Sequence, residues 1–125
     1  METKKKILAI DDSMQQINIF QGILGSKYIF RAAKSGSEAF SFLSLNVVDL
    51  VLLDIEMPTV SGFEFFEDIK KIPSYKNVPV IIVSSKTGED FMRQVKESGA
   101  FGFLNKPVVP ELLLRTIEKA LAITT

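Results

Sequence analysis

Ile7-Leu8-Ala9-Ile10-Asp11-Asp12 and Leu50-Val51-Leu52-Leu53-Asp54 have the same form: a short, unbroken apolar run that ends on carboxylates. Val80-Ile81-Ile82-Val83 delivers Ser84 in the same way, and Phe101-Gly102-Phe103-Leu104 is followed by Asn105-Lys106-Pro107. A strand with one wet face alternates apolar and polar residues. Uninterrupted runs rich in branched side chains instead mark strands covered on both faces, as in a parallel sheet. Open parallel sheets bind ligands beyond the carboxyl ends of their strands. At those ends this chain places carboxylates, a hydroxyl and an amine, the groups needed to handle a metal ion and a phosphoryl group.

Helix signals fill the intervals between the runs. Asp12 or Ser13 caps a helix expected from Met14 to Leu24, with Gly25 just past its end. Ile19, Phe20, Ile23 and Leu24 are expected to face the sheet, leaving Met14 and Ile17 together, off-centre and near the surface. Tyr28-Ile29-Phe30 reads as a shorter, weaker strand. Ser35-Gly36-Ser37-Glu38 has capping-box spacing and opens a helix through Ala39, Phe40, Leu43 and Leu45. Ser61-Gly62-Phe63-Glu64 repeats that spacing and opens a third helix reaching Ile72. Thr87 is expected to cap a fourth, which runs to Ser98 with Gly99 at its end. Pro110 suits the first turn of the last helix, which carries Leu112, Leu113, Ile117 and Leu121. Strand followed by helix, five times over, predicts an α/β fold with a doubly wound five-stranded parallel sheet. No composition shift or linker divides the chain, so residues 1–125 are expected to form one domain.

Composition narrows the chemistry. Fifteen basic residues balance fifteen acidic ones, so the net charge gives no reason to expect a nucleic acid or an anionic membrane as partner. Lys4-Lys5-Lys6 reads as a solvated terminus. No apolar run approaches the ~18 residues of a membrane span, and no signal-peptide pattern precedes Ile7, so a cytoplasmic location is expected. The chain has no Cys and no His. Disulfides, thiolate nucleophiles, thiol-ligated metals, Ser-His relays and phosphohistidine are thereby excluded for it. Any metal must be held by oxygen, which favours magnesium, manganese or calcium.

Taken singly, the polar residues have ordinary explanations: Asp11 and Asp12 as helix caps, Asp54 as a loop carboxylate, Ser84 as a strand-end hydroxyl, Lys106 as a surface lysine. Jointly they all fall at one edge of the expected sheet. The pattern resembles the receiver domain of bacterial response regulators, the CheY-like family. The resemblance runs from Lys6 to Leu121. It rests on Asp11-Asp12, on Leu53-Asp54 with Met57-Pro58 and Gly62, on Ser84-Ser85, and on Gly102-Phe103-Leu104-Asn105-Lys106-Pro107.

The resemblance implies a flavodoxin-like three-layer sandwich with strand order 2-1-3-4-5. Strands ending at Asp11 and Asp54 are then neighbours, and Lys106 lies about 10 Å from Asp54 in strand spacing, a gap a lysine side chain can largely cover. Asp54 is the implied phosphoacceptor, with Lys106 and Ser84 completing the reactive set. Magnesium, or manganese in its place, would be held by Asp11, Asp12, Asp54 and the backbone carbonyl of Glu56. Ser84 and Phe103 would relay phosphorylation to a surface made by the last two helices and the strand between them. Glu56 and Lys86 match positions flanking the path of attacking water, and are expected to pair and tune the lifetime of the phosphate. The Lys106–Pro107 bond is expected to be cis. The implied partners are a histidine kinase or histidine phosphotransfer protein and a downstream protein effector. Met14, Ile17, Pro107, Val108 and Val109 are expected at the phosphodonor's docking face. The chain would catalyse only its own phosphorylation and dephosphorylation and would not be an enzyme in the usual sense.

Two other readings compete. An aspartate-nucleophile, magnesium-dependent phosphatase of the haloacid dehalogenase type uses similar groups. It places its nucleophile on the first strand and its paired acids late, the reverse of this chain. A receiver-like binding module that is never phosphorylated usually lacks one of the acidic, hydroxyl or lysine positions, and all are present here.

Overall fold

The computed structural model of the chain describes residues 4–57 and 62–124. Five strands alternate with five helices: β1 (Lys6–Ile10), α1 (Met14–Leu24), β2 (Ile29–Ala33), α2 (Gly36–Leu45), β3 (Leu50–Asp54), α3 (Gly62–Lys71), β4 (Val80–Ser84), α4 (Glu89–Ser98), β5 (Gly102–Asn105) and α5 (Pro110–Thr124). A short 3-10 turn, Pro73–Tyr75, follows α3. All strand pairs are parallel, in the order β2-β1-β3-β4-β5. The expected α/β fold and strand order are those observed.

Side-chain alternation along the strands divides the core. Leu8, Ile10, Val51, Leu53 and Ile82 point to one face and meet Ala39, Leu43, Phe65, Ile69 and Phe91 of α2, α3 and α4. Ile7, Ala9, Leu50, Leu52, Ile81 and Val83 point to the other and meet Ile17, Phe20, Leu24, Leu113 and Ile117 of α1 and α5. Because both faces are covered, β3 and β4 are buried at every position. Each such Leu or Ile contributes about 1.5–3 kcal/mol as an upper bound. Among the described residues no helix is long and apolar enough to cross a membrane.

Several local expectations shift. The weak strand read at Tyr28-Ile29-Phe30 is β2, displaced to Ile29–Ala33. On α1 the buried stripe is Gln16, Ile17, Phe20 and Leu24, while Ile19 is 42% exposed. Residues 17, 20 and 24 have the three-then-four spacing of a helix seam, so the helix settles rotated toward Ile17 and away from Ile19. Leu45 and Leu112, placed on apolar helix faces from the sequence, are exposed. Ser13, not Asp12, caps α1 by accepting the Gln16 N–H, and Ser35 caps α2 by accepting the Glu38 N–H. Thr87 does not cap α4. The N-cap is Gly88 at φ +114°, a backbone conformation that glycine adopts without the steric cost of a Cβ. Gly99, at φ +85°, ends α4 as expected. Pro58 of the Met57-Pro58 motif and Ser61 of the third capping box lie outside the described residues.

Candidate acidic site at the carboxyl edge of the sheet

The parallel register brings the strand ends level. Ile10 pairs with Leu53 and Asp54 with Val83, so β1 delivers Asp11 beside the end of β3. Ser84 pairs with Asn105, and beyond it the Lys106 N–H donates to the Ser84 carbonyl at 3.0 Å, continuing the ladder into the loop. Lys106–Pro107 is cis.

Asp11 is almost wholly buried, and both its oxygens are engaged. Oδ1 accepts the Ser13 N–H at 3.0 Å, which turns the chain into α1, and Oδ2 accepts from Lys106 Nζ at 2.9 Å. Asp54 is likewise buried. Its Oδ1 accepts the Glu56 N–H at 2.9 Å, and its Oδ2 faces Lys106 Nζ at 3.3 Å. Asp12 is exposed, at the rim. Each of the three offers a carboxylate oxygen within 4.8 Å of the others. Gly62 sets the wall beside them: a Cβ there would lie 2.5 Å from the Ile55 Cα, so the close approach of α3 to the residue after Asp54 needs glycine.

Electrostatics follow from this packing. Burial pushes the Asp54 carboxyl above the usual carboxylate range. The Glu56 N–H works against this, the nearby Asp11 charge adds to it, and Lys106 opposes it. Burial acts to lower the Lys106 ammonium, but the hydrogen bond to Asp11 and the charges of Asp54 and Asp11 outweigh it and raise the pKa overall. The donor set is entirely oxygen and its charge exceeds what one lysine neutralises. It fits a hard divalent cation such as magnesium, held by Asp11, Asp12 and Asp54.

Beyond the cluster the expectations divide. Ser84 is fully buried at the end of β4, and its Oγ accepts the Lys86 N–H at 3.1 Å. Phe103 is half-buried on β5, with its ring edge-to-face against Phe91 of α4 at 5.6 Å between centroids. The expected Glu56–Lys86 pair is not formed. The Glu56 carboxylate accepts the Ser85 hydroxyl at 2.8 Å, and the Lys86 ammonium lies 5.5 Å from the centroid of the Phe91 ring. Both charges are exposed; Glu56 reaches across to the neighbouring β4–α4 loop but meets Ser85 there, while Lys86 turns to Phe91 of α4, so the two do not meet each other. Ile17, expected at a docking face, is 7% exposed and belongs to the core beneath α1. Met14, Pro107 and Val109 are exposed as expected, and Val108 is half-buried against the same core. The contact that sequence reasoning missed is Lys106 with Asp11. The only signal for it was the excess of carboxylates at one sheet edge, which calls for a cation.

Comparison with known proteins agrees with this geometry. Residues 7–118 match the response regulator receiver domain. The chain is 32% identical over 122 residues to the two-component response regulator ORR3 of Oryza sativa, covering 96% of this chain and 93% of that one. It is 38% identical over 107 residues to a probable cyclic di-GMP phosphodiesterase of Vibrio cholerae, covering 86% of this chain but only 24% of that protein. Among solved structures, chemotaxis protein CheY4 of Vibrio cholerae superposes with a TM-score of 0.89 at 31% identity, covering 95% of this chain and all of CheY4. With its CheY-like fold, its strand-end carboxylates and these relatives, the chain belongs to the response regulator receiver domain family.

Proposed function

We propose that this receiver accepts a phosphoryl group on Asp54 from a histidine kinase or histidine phosphotransfer protein and signals the change to a protein effector. The observation that carries this reading is the state of the Asp54 carboxylate. It is buried, its Oδ1 is anchored by the Glu56 N–H, and its Oδ2 faces the Lys106 ammonium. Oδ2 is therefore the oxygen available to attack, and Lys106 stands where charge on the incoming phosphoryl oxygens needs neutralising.

The step balances without a general base. A lone pair of Asp54 Oδ2 forms the new bond to phosphorus as the donor's N–P bond breaks. The broken bond's electron pair stays on the imidazole nitrogen, and because the other ring nitrogen carries a proton, neutral imidazole leaves. The chain contains no His, so the donor is a second protein or a small acyl phosphate. Asp11, Asp12 and Asp54, with the Glu56 carbonyl, would hold magnesium, or manganese in its place. The ion supplies further neutralisation of the phosphoryl oxygens. Ser84, fully buried at the adjacent strand end, donates its hydroxyl to the attached phosphoryl group. That movement changes the packing around Phe103 and so the α4–β5–α5 surface that an effector reads. The chain turns over no substrate beyond its own phosphorylation and dephosphorylation.

Among the docking residues, Met14, Pro107 and Val109 are the exposed ones, so the donor is expected to meet them and not Ile17. The phosphatase reading draws no support from the order of the groups, since Asp54 closes the third strand and the paired acids follow the first. Incubation with acetyl phosphate and magnesium, followed by intact-mass measurement, separates the readings. A stable single phosphoryl adduct supports the receiver; continuous phosphate release without an adduct supports a phosphatase; an unchanged mass supports a binding module that is never phosphorylated.

A further inference from the structure

Away from the acidic site, α3 and α4 part to leave a groove of about 290 Å³. Phe63, Phe66 and Glu67 line it from α3, and Gln94, Glu97 and Ser98 from α4. Its charged lining residues are two exposed carboxylates, Glu67 and Glu97, and among the described residues neither makes a hydrogen bond or ion pair. The basic groups on the same helices are largely engaged elsewhere. Lys70 lies 5.8 Å from the centroid of the Phe66 ring, but its ammonium is held by the carbonyls of Lys76 and Val78. Lys71 pairs with Asp68 and Arg93 with Asp90.

Phe66 is buried, so the half-buried Phe63 ring is the accessible part of this aromatic wall, and beside two unpaired carboxylates it is complementary to one kind of side chain. A guanidinium stacks on a ring through its flat face and donates in a fork to carboxylates, which an ammonium cannot do together. The wall is also connected to the switch. The Phe63 ring lies 6.0 Å from that of Phe91, and Phe91 lies 5.6 Å from Phe103. Two ring contacts thus join Phe103 to the groove, with the buried Phe91 between them.

We propose that the α3–α4 groove docks an arginine-bearing segment of a partner protein, with its affinity tied to Phe103 through Phe91 and Phe63. The tie rests on the phosphoryl-switch reading above; the docking does not.

Acetyl-arginine amide serves as the probe, titrated into isotope-labelled chain, with acetyl-glutamate amide as control. Docking predicts amide shifts centred on residues 63–67 and 94–98 with the arginine probe only. Binding should be roughly fivefold weaker in the Glu67→Gln/Glu97→Gln variant, the effect of losing ion pairing of ordinary surface strength. Shifts spread over every acidic surface, or unchanged binding in the double variant, would overturn the docking. The titration is then repeated on chain phosphorylated with acetyl phosphate. The tie to Phe103 predicts a changed affinity, with the change lost in Phe91→Leu. Phe103→Leu breaks the same ring contact from the less buried side should Phe91→Leu fail to fold. Equal affinity before and after phosphorylation would overturn the tie alone. A chain that takes no phosphate would overturn the switch reading, while the arginine titration on unmodified chain still decides the docking.

Discussion

Lys106 makes its shorter ion pair with Asp11, not with Asp54: the ammonium stands 2.9 Å from Asp11 Oδ2 and 3.3 Å from Asp54 Oδ2. One cation therefore balances two buried carboxylates that arrive from different strands. In the metal-free chain it is part of what lets those strand ends approach. Magnesium entering the site would take over some of that duty and leave Lys106 freer to meet a phosphoryl oxygen.

Removing this cation should cost stability as well as activity. Lys106→Met leaves Asp11 and Asp54 buried without a counter-charge, a change that costs about 3 kcal/mol in comparable buried pairs. Thermal melts should show that loss in the presence of a chelator and a smaller one with magnesium. An equal loss under both conditions would mean that the metal does not share the role of Lys106.

Asp54 should destabilise the metal-free fold at neutral pH. Its folded pKa is raised, chiefly by burial. The folded chain therefore keeps that proton to higher pH than the unfolded chain does. Stability gains as pH falls through the window between the unfolded and folded values, and the full cost of the buried anion is present above it. Asp54→Asn should accordingly raise the metal-free melting temperature at neutral pH, with the advantage shrinking as pH falls through that window. A difference constant with pH would show that the carboxyl does not titrate in this way.

Ser84 should read the phosphate without being needed to receive it. Its hydroxyl accepts the Lys86 N–H, which leaves its own proton available for a phosphoryl oxygen. Ser84→Ala should still gain phosphate from acetyl phosphate but lose the amide shifts around Phe103 that accompany the step. Shifts that persist in this variant would locate the relay elsewhere.

Glu56 and Lys86 should act independently on the lifetime of the phosphate. Their side chains meet Ser85 and Phe91 respectively, so the two charges do not pair with each other. Hydrolysis rates of Glu56→Ala, Lys86→Ala and the double variant should combine multiplicatively. A double variant no faster than either single one would show a coupling that forms only once the phosphate is attached.

How much of this was legible in the sequence depended on what fixes each residue. Asp11, Asp54 and Ser84 follow runs buried on both faces, and such runs have no other stable placement, so their common edge could be read directly. The side of α1 was harder. Ile17, Ile19, Phe20, Ile23 and Leu24 permit two overlapping stripes, and only packing against β1 and α5 selects the one through Ile17. The α4 cap was misread because Thr87 is a good capping residue, whereas Gly88 adopts a positive φ that L side chains resist. Exposed side chains such as Glu56 and Lys86 were least legible, since several partners of similar weak energy compete for each. The Lys106–Asp11 contact was hidden for another reason. Counting strands gives separation along the sheet, whereas a lysine in a loop above the strand ends reaches across them.

The central claim is that Asp54 carries the phosphoryl group, and reductive trapping tests it most directly. The chain is treated with acetyl phosphate and magnesium, then with borohydride, which reduces an aspartyl phosphate to homoserine with release of phosphate. Peptide mass mapping should then find homoserine at residue 54 and nowhere else, and none when a chelator replaces magnesium. Homoserine at residue 11 or 12, or none anywhere despite a phosphoryl adduct on the intact chain, would contradict the assignment.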